Sequence, residues 1–415
     1  MKMIVMEKEL LPETLNYIKS TELAYRKKLG QFFTPKSLRK LLISKLPRLD
    51  SPKVLDPGCG TGEFLLEAKN YFNNPQLYGW EIDERLVKIA QKIVPEAIIE
   101  KVDALKKDYL PEFDVVIGNP PYFELKKNKE IRKKFNEILK GRINIYALFV
   151  YIGIKLLKPG GYLAYIISPS MNNGAYFAKL REFIISETNI EYLHILEGDY
   201  FDGALQSVML FILKKGENKG NYVFRRNGMV IFSENVKYLN KISQNTLSLS
   251  DLGYKVQTGK IVWNQNKHLL TNNPSEGICL IWSHNITPNG LKLNNHKKRP
   301  QYIKSNKYDI GPAIVVNRIV GRPKNNKIKA ALVPPGFKFL AENHVNVIYP
   351  PKSVNLSELM EIINQLNSPE SQNFLISLTG NTQISKNELE KLFPIKLSSK
   401  GGKDEERKEE KTFAP

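Results

Sequence analysis

Cysteine is nearly absent: Cys59 and Cys279 stand far apart in 415 residues. Two isolated thiols exclude a disulfide framework and suit a reducing cytoplasm, where the chain is expected to reside. Histidine is scarce too, and its five copies are scattered without ligand spacing, so no metal is expected. No apolar run reaches the ~18 residues that a membrane span needs. The opening residues, Met1 to Leu11, carry Glu7 and Glu9 where a secretory leader would be apolar, so neither leader nor membrane anchor is expected. Acidic residues are the last deficit. Lys and Arg number 62 against 42 Asp and Glu, a net charge of +20. That excess points to a polyanionic partner, nucleic acid ahead of a membrane surface. The length predicts two to three domains, each able to bury a core.

What is present centres on Asp114 to Phe123, D-V-V-I-G-N-P-P-Y-F. Val115, Val116 and Ile117 read as a buried strand of a parallel sheet. Gly118 permits a sharp turn at its end. Pro120 and Pro121 remove two backbone donors and stiffen that turn. What is left to face outward is the Asn119 amide, carbonyl acceptors and the Tyr122 ring. Such a set suits a planar base with an exocyclic amine. Asn119 and the Pro120 carbonyl both accept from one NH2, while Tyr122 stacks on the ring. An ordinary strand-ending Pro-Pro turn is the plain structural alternative for these four residues.

A second motif lies earlier. Val54 to Phe64 reads strand, Asp56, three alternate glycines (Gly58, Gly60, Gly62), then helix. Glycines there let a ligand approach the backbone closely. The spacing is G-x-G-x-G rather than the dinucleotide pattern, and Asp56 would repel a pyrophosphate. A ligand carrying an ammonium and a sulfonium fits better. A further strand ends at Glu81, 23 residues after Gly58, near the spacing at which an acid takes ribose hydroxyls. A solvated strand end is its alternative. Asp103 ends a third strand and Asn119 a fourth. Thr34, in G-Q-F-F-T-P, reads as the N-cap of a helix from Lys36 to Leu46. Strands alternating with helices predict an α/β, Rossmann-like doubly wound parallel sheet, with Asp56, Glu81, Asp103 and Asn119 all at its C-terminal edge.

In the order F-T-P, D-P-G-C-G-T-G, G-W-E-I-D, V-D-A-L, N-P-P-Y, the chain resembles the gamma class of adenine-specific DNA methyltransferases of restriction–modification systems. The resemblance is specific over residues 25 to 215. It implies S-adenosylmethionine as cofactor and double-stranded DNA as substrate, with one adenine rotated out of the stack and methylated at N6. By resemblance, Thr34 lies against the cofactor's methionine. Asp56, Gly58 and Gly60 line its amino-acid part, Glu81 takes the ribose hydroxyls, and Asp103 reads its adenine. Asn119, Pro120, Pro121 and Tyr122 form the catalytic motif, Asn119 also touching the cofactor. Phe201 is the candidate for the second aromatic face on the extruded base, with Tyr200 as its rival and plain core packing as the alternative for either ring. The resemblance also implies a restriction endonuclease acting on the same site, and a monomer is expected.

Past residue 215 the pattern changes to short β-like runs between loops rich in Asn, Gly, Pro and Lys. Residues 221 to 350 hold 19 Lys or Arg against 5 Asp or Glu. Aromatics are interleaved: Trp263, Trp282, Tyr302, Tyr308, Phe337. The expected organisation is a catalytic domain (1–235), a mixed, β-rich target-recognition domain (236–397) and a charged tail (398–415). Loops at Asn264 to Lys267 and Asn317 to Lys329 are the candidates for reading bases, while Trp263 and Trp282 read more simply as core. Two rivals share these motifs: a protein glutamine methyltransferase using N-P-P-Y, and a DNA-binding subunit that has lost activity.

Overall fold

The structure is a computed structural model, and it describes residues 9–126, 128–198, 200, 207–294, 299–318, 327–378 and 383–398. The chain divides into two compact units. The first runs through residue 223 and includes 230–234; the second holds 224–229 and the chain from 235 on.

The first unit is built on a seven-stranded sheet. Helices α1 (Pro12–Ser20), α2 (Leu23–Lys28) and α3 (Lys36–Ile43) precede β1 (Lys53–Asp56). Then follow α4 (Glu63–Tyr71), β2 (Gln76–Glu81), α5 (Glu84–Ile93), β3 (Ile98–Lys101) and β4 (Phe113–Gly118). A short antiparallel pair, β5 (Glu124–Leu125) and β6 (Ile143–Asn144), brackets α6 (Lys129–Lys134). The buried helix α7 (Ile145–Leu156) leads into β7 (Leu157–Ile167), α8 (Ala178–Glu187), β8 (Thr188–Leu196) and β9 (Val208–Lys215). The strand order is β3-β2-β1-β4-β7-β9-β8.

The five strands from β3 to β7 are parallel, as the alternation of strand and helix predicts. One strand departs from the expectation: β9 runs antiparallel to both β7 and β8, so β8 keeps the direction of the first five. The chain leaving β8 returns beside it as β9 instead of crossing over to a parallel neighbour.

Alternation along each strand divides the core in two. Leu55, Val116, Leu163 and Phe211 face α7 and α8. Val54, Val115, Ala164 and Leu210 face α3, α4 and α5. The Asp83 side chain caps α5 by accepting from Arg85 N, an interaction worth ~1 kcal/mol. Thr34 does not cap α3. Pro35 holds the cap position and no side chain fills it. Thr34 sits one residue too early; it is buried, and its carbonyl accepts from the Arg39 guanidinium.

The second unit carries two small sheets. In one, Lys255–Thr258, Val345–Tyr349, Ala313–Asn317 and Ala330–Val333 lie side by side, all antiparallel. The other is mixed, with Ile278–Ile281 parallel to Lys338–Ala341 at its centre. Helices Leu356–Leu366, Pro369–Leu378 and Lys386–Lys391 follow. Ser385 and Glu388 form a capping box on the last one. Trp282 is core: it is buried with Leu280, Ile303 and Leu340, and its indole N–H donates to the Pro300 carbonyl. Asn317 is buried as well. Its side chain takes Lys329 N and donates to the Lys327 carbonyl, so it clamps its own loop instead of facing outward. Residues 319–326 of that loop lie outside the described residues, as does the tail beyond Ser398. Among the described residues, no helix is long and apolar enough to cross a membrane.

Candidate active site

The C-terminal edge of the parallel strands opens into a cavity of about 370 Å³, within the range of small-molecule sites. Thr34, Asp56, Gly58, Gly60, Glu81, Asp103, Asn119 and Pro121 all line it. Thr34 comes from the segment before α3; the others meet because each ends or follows a strand of one parallel set, and parallel strands end on one side.

Each acid is held by backbone donors. Asp56 ends β1 and is buried, with Oδ1 accepting from Gly58 N at 3.1 Å. Glu81 ends β2. Its Oε2 accepts from Gly60 N, and its Oε1 from Ile82 N and Asp83 N, each at 2.9 Å. Asp103 follows β3 and caps the turn Ala104–Lys106 through a 3.0 Å bond from Leu105 N. Burial is the main influence on the first two. It pushes the Asp56 carboxyl up to about 8, against the pull of the Gly58 N–H and with help from neighbouring Glu81. It raises Glu81 as well, against its three N–H donors.

The N-P-P-Y turn forms the other wall. Asn119 donates through Nδ2 to the Phe32 carbonyl at 3.1 Å, which fixes the amide. Its Oδ1 is buried and takes no hydrogen bond. Gly30 explains how the F-T-P segment reaches this turn: its φ is +65°, and a Cβ there would lie 2.7 Å from Tyr122 N. The Tyr122 hydroxyl donates to the Ile166 carbonyl at 2.7 Å, and its ring stands edge-on to Phe32 and tilted against Tyr146.

A second cavity, of about 250 Å³, shares the walls Phe32 and Phe123 with the first. Tyr122, Asn144, Tyr146, Ser168, Ser170 and Ser207 also line it. Phe201 lies outside the described residues. Tyr200 packs against the core under α3, α4 and α5, and its hydroxyl donates to the Glu197 carbonyl at 3.4 Å.

Several lining residues were not read from the sequence. Arg39 is buried, paired with Glu63 and Glu67, and its guanidinium holds Thr34. Thr14 of α1 donates to Glu63 and so ties the N-terminal helix to the start of α4. The only sequence signal was the amphipathic pattern of α3, which marks a buried face but not a buried charge.

The residues present fit S-adenosylmethionine. The glycine loop brings backbone into the cavity, two buried acids give it a side that a cationic ligand can turn anionic, and a buried Asn119 oxygen stands without a partner. Fold and site together define an S-adenosylmethionine-dependent methyltransferase. A model described as "Methyltransferase domain" matches residues 54–141. One described as "Eco57I restriction-modification methylase" matches residues 99–201. The chain is 26% identical to the type II methyltransferase M.BsuBI of Bacillus subtilis, over 88% of this chain and 87% of that protein. It is 26% identical to the modification methylase CviBIII of Paramecium bursaria Chlorella virus NC1A, over 88% and 94%. To the type II methyltransferase M.HincII of Haemophilus influenzae it is 31% identical, over 46% and 38%. The chain is thus a homologue of the restriction–modification methyltransferases over most of its length.

Proposed function

We propose that this protein methylates DNA at N6 of an adenine turned out of the duplex, as the modification enzyme of a restriction–modification system. The observation that carries the reading is the Asn119 amide on the wall of the first cavity, three residues before Tyr122, which lines the second. Its nitrogen is committed to Phe32 and its oxygen is not. A buried acceptor without a donor costs about 1–3 kcal/mol, so the arrangement is matched to a donor that arrives with substrate.

S-adenosylmethionine, when bound, supplies an electrophilic methyl group. Asp56, Gly58, Gly60 and Thr34 hold its amino-acid part, Glu81 its ribose and Asp103 its adenine. The target base occupies the second cavity against Tyr122. Asn119 Oδ1 and the Pro120 carbonyl accept the two hydrogens of its amine, drawing the nitrogen towards a tetrahedral state and freeing its lone pair. The same acceptors face the positive charge that develops there. The proton leaves after attack, when the nitrogen is acidic, so no dedicated base is needed. The second unit binds the duplex. The excess of 19 basic over 5 acidic residues between 221 and 350 supports this, since the chemistry itself needs acceptors and not cations.

The test is transfer of labelled methyl from S-adenosylmethionine to duplex DNA, RNA and protein, followed by nucleoside analysis. N6-methyladenine in DNA is expected. N4-methylcytosine would move the reading to the other exocyclic amine, and label in protein alone would overturn it.

A further inference from the structure

The second cavity has a polar side that the catalytic motif does not use. The Tyr146 hydroxyl lies 3.1 Å from Ser170 Oγ, which lies 2.9 Å from Ser168 Oγ. All three groups line the cavity beside Tyr122. Tyr146 sits at the start of α7, with its ring fixed against Tyr122 and Phe177. Ser168 and Ser170 come from the segment just past β7, at the same sheet edge as the N-P-P-Y turn.

Hydrogen accounting singles this chain out. Three hydroxyls bring three donor protons, and the two links between them consume two. One proton remains for another acceptor. Ser168 also accepts from Ser170 N at 3.3 Å, which caps the turn Pro169–Met171. Capping accounts for one lone pair of Ser168. It accounts for neither the Ser170 hydroxyl nor that of Tyr146. A chain of hydroxyls on the wall of a cavity that also presents the rings of Phe32, Tyr122 and Phe123, the aliphatic Ile167 and Val208, and the polar Asn144 and Ser207 suits a flat heterocycle with in-plane acceptors.

We propose that Ser168, backed by Ser170 and Tyr146, donates its hydroxyl proton to a ring nitrogen of the extruded base and so helps to set which base the site accepts. The inference rests on the reading of the second cavity as the base site. Asn119 and Pro120 then meet the exocyclic amine, Tyr122 the ring face, and Ser168 the ring edge. No bond to carbon is made or broken by this group, and its role is to orient the base.

The experiment uses the full chain and duplexes in which the target adenine is replaced, one at a time, by 1-deaza-, 3-deaza- or 7-deazaadenine. Each keeps the 6-amino group and lacks one ring acceptor. The wild-type protein should lose roughly 3- to 10-fold in kcat/KM on one of the three, the value of one hydrogen bond. Ser168→Ala should lose a similar factor on adenine and show no further loss on that same analogue. Ser170→Ala, which interrupts the chain, should shrink the discrimination. S-adenosylmethionine affinity by calorimetry should match wild type in both variants, since neither residue lines the first cavity. A purely structural serine would lower activity equally on all four bases. Full wild-type discrimination in both alanine variants, or no discrimination by wild type, would overturn the proposal while leaving adenine methylation intact. If the wild type methylates no adenine, the base-site reading falls first and this inference with it.

Discussion

The Asp56 carboxylate lies directly on Gly118, the residue before the catalytic turn: a Cβ built there would be 2.7 Å from Asp56 Oδ1. The end of β1 thus meets the end of β4 with no room for a side chain. Gly118 also has φ +145°, a conformation that other residues avoid. Gly118→Ala should destabilise the fold by about 1–3 kcal/mol and displace Asp56 from the cofactor cavity. The check is a thermal melt with and without S-adenosylmethionine. A lower Tm and a smaller ligand-induced rise are expected.

Cofactor binding should depend on pH through Asp56. Its carboxyl sits at about 8 in the folded protein against an ordinary 3.8. Below pH 8 the free site is therefore mostly protonated. A cationic ligand favours the carboxylate, so binding releases a proton, and affinity rises from pH 6 to about 8 before levelling. Calorimetry in buffers of differing ionisation enthalpy reads that proton directly, and Asp56→Asn should abolish its release. The same shift acts on the ligand-free fold with the opposite trend. A raised acid holds its proton in the folded state and loses it in the unfolded one, so stability falls as pH climbs from about 4 to about 8.

Glu81→Ala and Asp103→Ala should each weaken S-adenosylmethionine binding by roughly 1–3 kcal/mol. The two should differ in their side effects. Glu81 collects three backbone N–H groups, from Gly60, Ile82 and Asp83. Its loss leaves those donors unmatched and should lower Tm as well. Asp103 accepts only from Leu105 N among the bonds described, so its variant should keep a near wild-type melt. Unchanged cofactor affinity in both would remove them from the pocket.

Asn119→Ala should cut single-turnover methylation by ~100- to 1,000-fold, the usual cost of losing an acceptor from a preorganised site. Cofactor affinity should change little, because the amide's one bond is to the Phe32 carbonyl. Retention of more than about a tenth of the wild-type rate would contradict a loss of that size.

DNA binding should weaken steeply with salt. Each phosphate neutralised contributes roughly −0.9 to the slope of log K against log salt. Charge-reversal of Lys255 and Lys260, which lie in the basic segment of the second unit, should flatten that slope and leave cofactor binding unchanged. A slope near zero in the wild type would exclude a phosphate-dominated interface.

Much of the first unit was legible because its signals are local. A buried strand, an acid at its end and glycines before a helix all lie within about a dozen residues, as in Val54 to Phe64 and Asp114 to Phe123. Parallel pairing then requires those ends to share one edge, so the grouping of Asp56, Glu81, Asp103 and Asn119 followed from sequence alone. The misreadings came from local rules that tertiary packing overrode. Thr34 looked like a cap, but Pro35 occupies that position and Arg39 draws the Thr34 carbonyl inward. Asn317 was among the candidates for reading bases, yet it is buried and clamps the backbone at Lys327 and Lys329.

The amino-acid sequence by itself determined the order of strands and helices, the glycine loop, the acids and the N-P-P-Y turn. Only the tertiary structure decided which distant groups meet them. The amide of Asn119 is oriented by Phe32, 87 residues away, and the hydroxyl of Tyr122 by Ile166, 44 residues away. Ser168 and Ser170 meet Tyr146 because β7 and α7 converge at one sheet edge. Side-chain hydrogen bonds and ion pairs reach only a few ångströms, and chain separation carries no information about such distances until the sheet has set its register.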